Sequence, residues 1–263
     1  MLKITETVKH LIIINVILFL IPKFVYPPLQ EMFALHFPKN PNFGFWQYFT
    51  SIFMHSQQSF MHIAFNMFGV WMFGTPLEQL WGRNKFLFFY FSAGIGAGLV
   101  YTAVNYFQFS SAFDYLISAG VSNSEINQIL SIDTYDTNLF LKKVETILSN
   151  NTKIESVTTE FVNSIVEIKS KYNSSAVGAS GALYGILVAF GMKFPNTKLM
   201  LIFLPIPIAA KYFIPVLILG DLFFGVFSIP GDNIAHFAHV GGALIGFIIM
   251  LFWKNNQFKR WDK

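Results

Sequence analysis

Apolar residues gather in long runs along this chain rather than in short alternating stretches. Runs approaching roughly 20 residues, the length a helix needs to cross a bilayer core, fall at about residues 8–26, 60–79, 85–106, 179–194, 211–229 and 235–253. The pattern predicts six membrane-spanning helices. The fourth is short for a full crossing and begins beside Gly178, which places its start within the bilayer thickness, where irregular backbone needs protein or a water-filled cavity around it. The first run reads as a retained span. Bulky Pro22-Lys23-Phe24-Val25-Tyr26 follows it in place of a small-residue cleavage site.

Three segments depart from this pattern. Residues 27–59 are rich in Pro and aromatic residues, among them Phe33, Phe43, Phe45, Trp46 and Tyr48, and suit the headgroup interface. Residues 107–175 form the one extended polar stretch, with eight acids against five lysines. Apolar residues at three- and four-residue spacing predict helices over 138–148 and 154–168, with Ser124 and Asp136 or Thr137 as caps. This regular Leu, Ile, Val and Phe content argues for a small helical insertion and against a disordered tether. Residues 199–210 are apolar but carry Pro205 and Pro207, and read as a re-entrant or interfacial loop. The expected domains are therefore 1–106 (spans one to three), 107–175 (the insertion) and 176–263 (spans four to six and a tail). The expected fold class is an all-α polytopic bundle.

Composition agrees with a membrane protein: 54% of the residues are hydrophobic, 18% aromatic and only 12% charged. The net charge of +4 is no nucleic-acid signature, because the basic residues are dispersed among short loops. They do report orientation. With both termini cytoplasmic, the inside loops hold Lys3, Lys9, Arg83, Lys85, Lys193, Lys198, Lys211, Lys254, Lys259, Arg260 and Lys263. The short outside loop then holds only Lys23 and Lys39, which favours that arrangement. A bacterial inner (plasma) membrane is the expected setting. The chain has no cysteine, which excludes disulfides, thiolate metal sites and a cysteine nucleophile.

Candidate chemistry lies at the mouths of three spans. Ser180 opens the fourth, in Gly178-Ala179-Ser180-Gly181. Helix N-termini present unpaired N–H groups and a positive dipole end, which would stabilise an oxyanion formed by attack of Ser180 on a carbonyl. Taken alone, the motif is better read as packing, since Gly181 and Gly185 make a G-x-x-x-G spacing. His239, in the sixth span, precedes Gly242 and Gly246 on one helical face. If that face meets the Gly181–Gly185 face, His239 comes within reach of the Ser180 hydroxyl and can take its proton. The alternative is a histidine reaching for water at the interface, a role that suits His236 better. His62 and Asn66 share a face of the second span and can both donate hydrogen bonds, so they could complete an oxyanion hole or serve as a polar helix-packing pair. A metal site on His62, His236 and His239 is a weaker option, without an H-E-x-x-H motif to support it. Asp221, in the fifth span, has no assigned role and is expected to pair with a polar neighbour or mark a helix contact.

This set of residues resembles the rhomboid intramembrane serine proteases: His62 and Asn66, Gly178-Ala179-Ser180-Gly181, and His239-Val240-Gly241-Gly242 with Gly246. Ile14-Asn15-Val16, Phe45-Trp46-Gln47, Tyr184, and Glu78 with Gly82-Arg83 extend the resemblance. It covers the six spans in order but not 107–175. It implies a six-helix rhomboid-like bundle and a serine endopeptidase with a Ser180–His239 dyad and no third carboxylate. It also implies an oxyanion hole from His62, Asn66 and the Ser180 backbone N–H, a Tyr184 ring packed beside His239, and Glu78 and Arg83 anchoring the turn after the second span. Gly178, Gly181, Gly242 and Gly246 would support the site. The implied partners are transmembrane protein substrates and the lipid bilayer, with no cofactor, no metal and no nucleic acid. Catalytically silent members that bind and traffic membrane proteins provide the alternative, although they generally lack the serine or the histidine. A transporter is disfavoured by the absence of a convincing internal repeat, and aspartyl intramembrane proteolysis by a lone in-span aspartate.

Overall fold

A computed structural model describes residues 3–134, 136–154, 156–201, 204–227 and 234–258. The basic residues Lys259, Arg260 and Lys263 and the expected end of the fifth span at 228–229 lie outside the described residues. In order, the helices are α1 (Glu6–Phe24), α2 (Pro28–Phe33), α3 (Gln47–Thr50), α4 (Phe60–Gly69), α5 (Thr75–Trp81), α6 (Arg83–Ser118), α7 (Asn123–Ser131), α8 (Thr137–Leu148), α9 (Thr159–Tyr172), α10 (Ser180–Lys193), α11 (Ala210–Phe227) and α12 (His236–Phe258). The chain divides into two compact units. One comprises residues 1–35, 44–101 and 176–263, the other 36–43 and 102–175.

Among the described residues, four helices are long and apolar enough to cross a membrane: Glu6–Phe24, Arg83–Ser118, Ala210–Phe227 and His236–Lys254. Ser180–Lys193 is apolar but shorter. The second apolar run is helical throughout, but α4 and α5 are joined by a π-helical stretch, Val70–Gly74. Pro76 accounts for it: proline has no N–H for the carbonyl one turn earlier, and the helix passes that point through a wider turn. Helix α6 has 36 residues and rises about 54 Å at 1.5 Å per residue. It therefore continues well past the expected end of the third span at 106. Apolar side chains on these helices, among them Ile17, Phe65, Phe88, Val216, Phe223, Ile248 and Phe252, point outward rather than into the core. In an all-water environment such surfaces would drive association; in lipid they are at home. The chain is an integral membrane protein.

The core of the first unit is built from Val8, Leu11, Phe19, Phe86, Phe89, Tyr90 and Ile186, all buried. Glu78 has a particular task in it. Its carboxylate accepts from Thr7 N–H at 3.1 Å, from Val8 N–H at 3.0 Å and from the Thr5 hydroxyl. Thr5, at the N-cap of α1, makes no capping bond of its own, so a carboxylate from α5 satisfies the open N–H groups of a helix some seventy residues earlier. The expected role of Glu78 at the turn after the second span is thus corrected. Gly82, with φ +77°, makes that turn, in a conformation L side chains avoid.

The segment read as a re-entrant or interfacial loop carries two antiparallel strands, Lys198–Leu201 and Leu204–Ala209, where no strand was expected. Lys198 pairs with Ala209 and Leu199 with Ile208. In a two-stranded sheet each strand has an open edge, where proline, which has no N–H to donate, is tolerated. With the two-residue strands Leu35–His36 and Ser175–Ala176, this pair of strands is an exception to the all-α expectation.

The second unit has its own core of Phe37, Phe109, Leu116, Ile126, Ile129, Phe140, Phe161, Ile165 and Ile168. Its helices start on side-chain caps. Ser122, not Ser124, caps α7 in a capping box with Glu125. Asp136 accepts from Asn138 N–H and Leu139 N–H at 2.8 and 3.0 Å, and Thr158 caps α9. Helix α9 begins five residues later than the expected 154. Apolar spacing continues through the stretch before Thr158, but the cap decides the start.

Replacing Glu78 by Ala should lower stability by about 1–3 kcal/mol, because it leaves buried donors at the start of α1 unpaired. Glu78→Gln should retain part of that. Thermal unfolding of the detergent-solubilised protein measures both.

Candidate active site

The site is assembled where α10 and α12 cross. A Cβ built on Gly242 would strike the carbonyl oxygen of Gly181, and one on Gly246 would lie 2.7 Å from the Gly185 Cα. The backbones touch, and only glycine permits this. On its other side α10 presses on α6, where a Cβ on Gly181 or Gly185 would sit 2.5 Å from that of Ala97 or Ala93.

This crossing sets the depth of Ser180 against that of His239. His239 Nε2 lies 2.9 Å from Ser180 Oγ. Its Nδ1 lies 2.9 Å from Asp221 Oδ1. The Tyr184 ring stacks on the imidazole at 4.3 Å with an interplanar angle of 10°, and the Tyr184 hydroxyl donates to Asp221 Oδ2. With Asp221 accepting at Nδ1, the imidazole carries its proton there and offers a lone pair to the Ser180 hydroxyl.

Asp221 is the residue that sequence reasoning left unassigned, and His236 the one it misplaced. His236 is buried rather than turned to water, and its Nδ1 is 2.6 Å from the same Asp221 Oδ1. Gly225 lets α12 approach this closely, since a Cβ there would lie 3.2 Å from the His236 Cβ. One signal was available in the sequence. Helices joined by a short connection fold back as antiparallel neighbours, so an acid six residues before the end of α11 must lie level with the start of α12.

His62 and Asn66 approach from α4. His62 Nδ1 accepts from Ser56 N–H at 3.1 Å, which leaves Nε2 as the donor. That Nε2 and Ser180 Oγ border one space: a Cβ on Gly178 would be 3.3 Å from the first and 3.4 Å from the second. Gly178 has φ +127°, and its N–H is held by Ser51 O at 2.9 Å. Asn66 is less directly engaged. Its amide donates to His62 O at 2.8 Å, and its Oδ1 is buried without a hydrogen-bond partner. Behind His62 stands His55, with ring centroids 5.4 Å apart. His55 Nε2 meets Asn15 Oδ1 at 2.9 Å, so Asn15, which entered the resemblance only as a matched residue, holds a second buried imidazole. Burial, with His62 adding to it, pushes the His55 pKa down to about 3.

The arrangement is that of a polytopic helical membrane protein with a half-buried hydroxyl and imidazole and a buried carboxylate in line. The comparisons give it a family. Residues 42–125 and 148–255 match the model of the Rhomboid domain, and the chain belongs to the rhomboid family. The match enters the polar stretch from both ends, so the family resemblance is wider there than the sequence motifs indicate; the unmatched interior runs from 126 to 147. The human "Presenilin-associated rhomboid-like protein, mitochondrial" is 24% identical over 266 residues, covering 96% of this chain and 51% of that protein. The Mus musculus protein of that name is equally similar. "Rhomboid protease GluP" of Bacillus subtilis (strain 168) is 28% identical over 104 residues, 38% of this chain and 18% of that protein. The chain spans about half the length of the mitochondrial relatives it matches.

Gly242→Ala should cost about 1–3 kcal/mol or more by overpacking and should separate Ser180 from His239. Both a lower unfolding temperature and loss of serine reactivity are expected. A second expectation concerns pH. His55 is neutral when folded and takes up a proton more readily when unfolded. Stability should therefore be full above about pH 6.5 and fall as pH drops from there toward 3. Replacing His55 by Gln should flatten that part of the stability–pH curve.

Proposed function

We propose that this protein is an intramembrane serine endopeptidase that cleaves peptide bonds in or beside transmembrane segments of membrane proteins. The observation that carries the reading is the continuous chain from Ser180 Oγ through His239 to Asp221 at the start of α10. Ser180 attacks the substrate carbonyl as His239 takes its proton. Asp221 holds the imidazole tautomer and offsets the imidazolium charge. The Ser180 backbone N–H, at the positive end of α10, and His62 Nε2 receive the oxyanion, with the remaining Asn66 N–H as a third donor. His239 then protonates the leaving amine, and water releases the acyl group. The substrate helix must unwind locally, because helical backbone hides its carbonyls. A dyad would have needed another means of orienting His239; here the tyrosine-stacked imidazole has a carboxylate behind it.

The site residues keep the roles suggested above: Ser180 and His239 in catalysis, Tyr184 at the imidazole, Gly181, Gly242 and Gly246 in bringing the backbones together, and Gly178 in leaving room beside His62 and Ser180. Asp221 joins them as the residue that orients His239. The proposed architecture has six spans, counting the π-interrupted run over 60–81 and the short α10. Both termini are cytoplasmic, and 107–175 forms a helical insertion on the outer side between spans three and four. The arrangement of spans in 1–106 and 176–263 follows from it. The named relatives divide between a mitochondrial and a bacterial setting, and the site geometry is compatible with either membrane.

The other reading is a silent rhomboid-like protein that binds membrane proteins without cutting them. An intact serine–imidazole pair at 2.9 Å favours the protease. Cleavage of a panel of single-span substrates, with Ser180→Ala as control, tests the proposal. Ser180→Ala and His239→Ala should each lower kcat/KM at least about 1000-fold, and Asp221→Asn about 10²- to 10⁴-fold, mainly in kcat. A fluorophosphonate should label Ser180. No labelling and no cleavage by a folded wild-type protein would favour the silent reading.

A further inference from the structure

We propose that Asp221, His236 and His239 form a reversible site for a divalent transition-metal ion such as Zn²⁺, whose occupancy switches off hydrolysis at Ser180. The regulatory half rests on the protease reading; the binding half does not. A Ser–His–Asp chain needs one imidazole on its carboxylate, yet Asp221 Oδ1 has two, at 2.6 and 2.9 Å. The ligand atoms of the three side chains all lie within 4.8 Å of one another. Two imidazoles and a carboxylate suit Zn²⁺, with a fourth position left for water. Metal–ligand bonds of about 2.0–2.1 Å in a tetrahedron separate ligand atoms by somewhat over 3 Å. The two nitrogens therefore need to move out from the carboxylate oxygen by roughly 0.4–0.8 Å, and the ligand atoms that lie as much as 4.8 Å apart need to close in around the ion, a shift of side-chain rotation rather than of backbone.

Inhibition follows from the tautomer. A metal on Nδ1 takes the lone pair there and leaves the imidazole proton on Nε2. His239 then presents an N–H to Ser180 Oγ instead of an acceptor and cannot remove the hydroxyl proton. No proton is lost from the imidazole overall; it changes nitrogen. Tyr184 keeps its bond to Asp221 Oδ2, so the carboxylate remains oriented. The ion would arrive by the route that hydrolytic water takes, since the His239 side chain is 13% exposed.

Metal-free protein in detergent provides the test. Binding is read without activity: Co²⁺ titrated into the Ser180→Ala protein should give the visible absorption of a low-coordinate site at one ion per chain, and Zn²⁺ should bleach it. His236→Gln in the same background should weaken that binding at least tenfold. Should this variant fail to fold, zinc-edge X-ray absorption on Ser180→Ala protein should read two imidazoles around the ion. On wild-type protein, micromolar Zn²⁺ should lower cleavage at least tenfold, with full recovery on adding EDTA. His236→Gln should raise the half-inhibiting concentration at least tenfold, measured against its own metal-free rate. No stoichiometric Co²⁺ uptake, or uptake and inhibition unchanged by His236→Gln, would overturn the site. Binding with cleavage unaffected by saturating Zn²⁺ would overturn the switch alone. Binding in a protein that cleaves nothing would sustain the site and remove the protease reading.

Discussion

Backbone contact between α10 and α12 is the constraint on which the remainder of the site depends. Lipid offers no hydrophobic drive for two apolar helices to associate, so close packing and internal hydrogen bonds must hold them. Gly242 against Gly181 and Gly246 against Gly185 supply the packing. The contact fixes two distances at once, helix to helix and depth to depth. A hydroxyl and an imidazole at the ends of different helices can meet at 2.9 Å only if neither helix slides by as much as one residue. Glycine thus acts twice, since Gly178 also opens the room that His62 and Ser180 share.

A carboxylate buried among apolar helices is costly unless its oxygens are satisfied. Asp221 is satisfied three times, by Tyr184, His236 and His239. Each donor is also restrained by the carboxylate: Tyr184 is aligned against the imidazole it stacks on, and His239 is left in one tautomer. The polar cluster ties α10, α11 and α12 together where side-chain packing alone would leave rotational freedom. Glu78 does the same for α5 and α1, with backbone N–H groups as its donors. In both places an acid inside an apolar helix is explained by what it holds rather than by its own exposure to water.

Periodicity and composition made the apolar runs legible because a bilayer crossing demands length and little else. Ser180, His239 and the glycine faces were legible as well, since residues three, four and seven apart must share a side of a helix. The residues that escaped have partners chosen by tertiary contact. Asp221 is eighteen positions from His239, and nothing local to either names the other. His55 and Asn15 have the same difficulty: the bond from His55 to Asn15 joins a loop to a span forty residues away. The hairpin at 198–209 was missed for a different reason. Alternation of leucine, isoleucine and proline over 204–208 has a period of two, but prolines read as loop unless an open strand edge is known to be present.

Capping shows how far local chemistry can overrule apolar spacing. Ser122 and Glu125 form a reciprocal pair that satisfies N–H groups at the start of α7, whereas Ser124 lies already inside the helix. The apolar residues before Thr158 extend the helical pattern backward, yet α9 starts where a hydroxyl can accept from Phe161 N–H. A boundary is placed by the first residue that can satisfy the open donors, and periodicity only says that a helix follows. The start of α10 obeys the same rule in the opposite sense. Ala179 offers no side-chain cap, so the N–H groups beside Ser180 are left unsatisfied by any cap. In the proposed reaction those are the donors an oxyanion would meet, and a better-capped helix would be a poorer place for it.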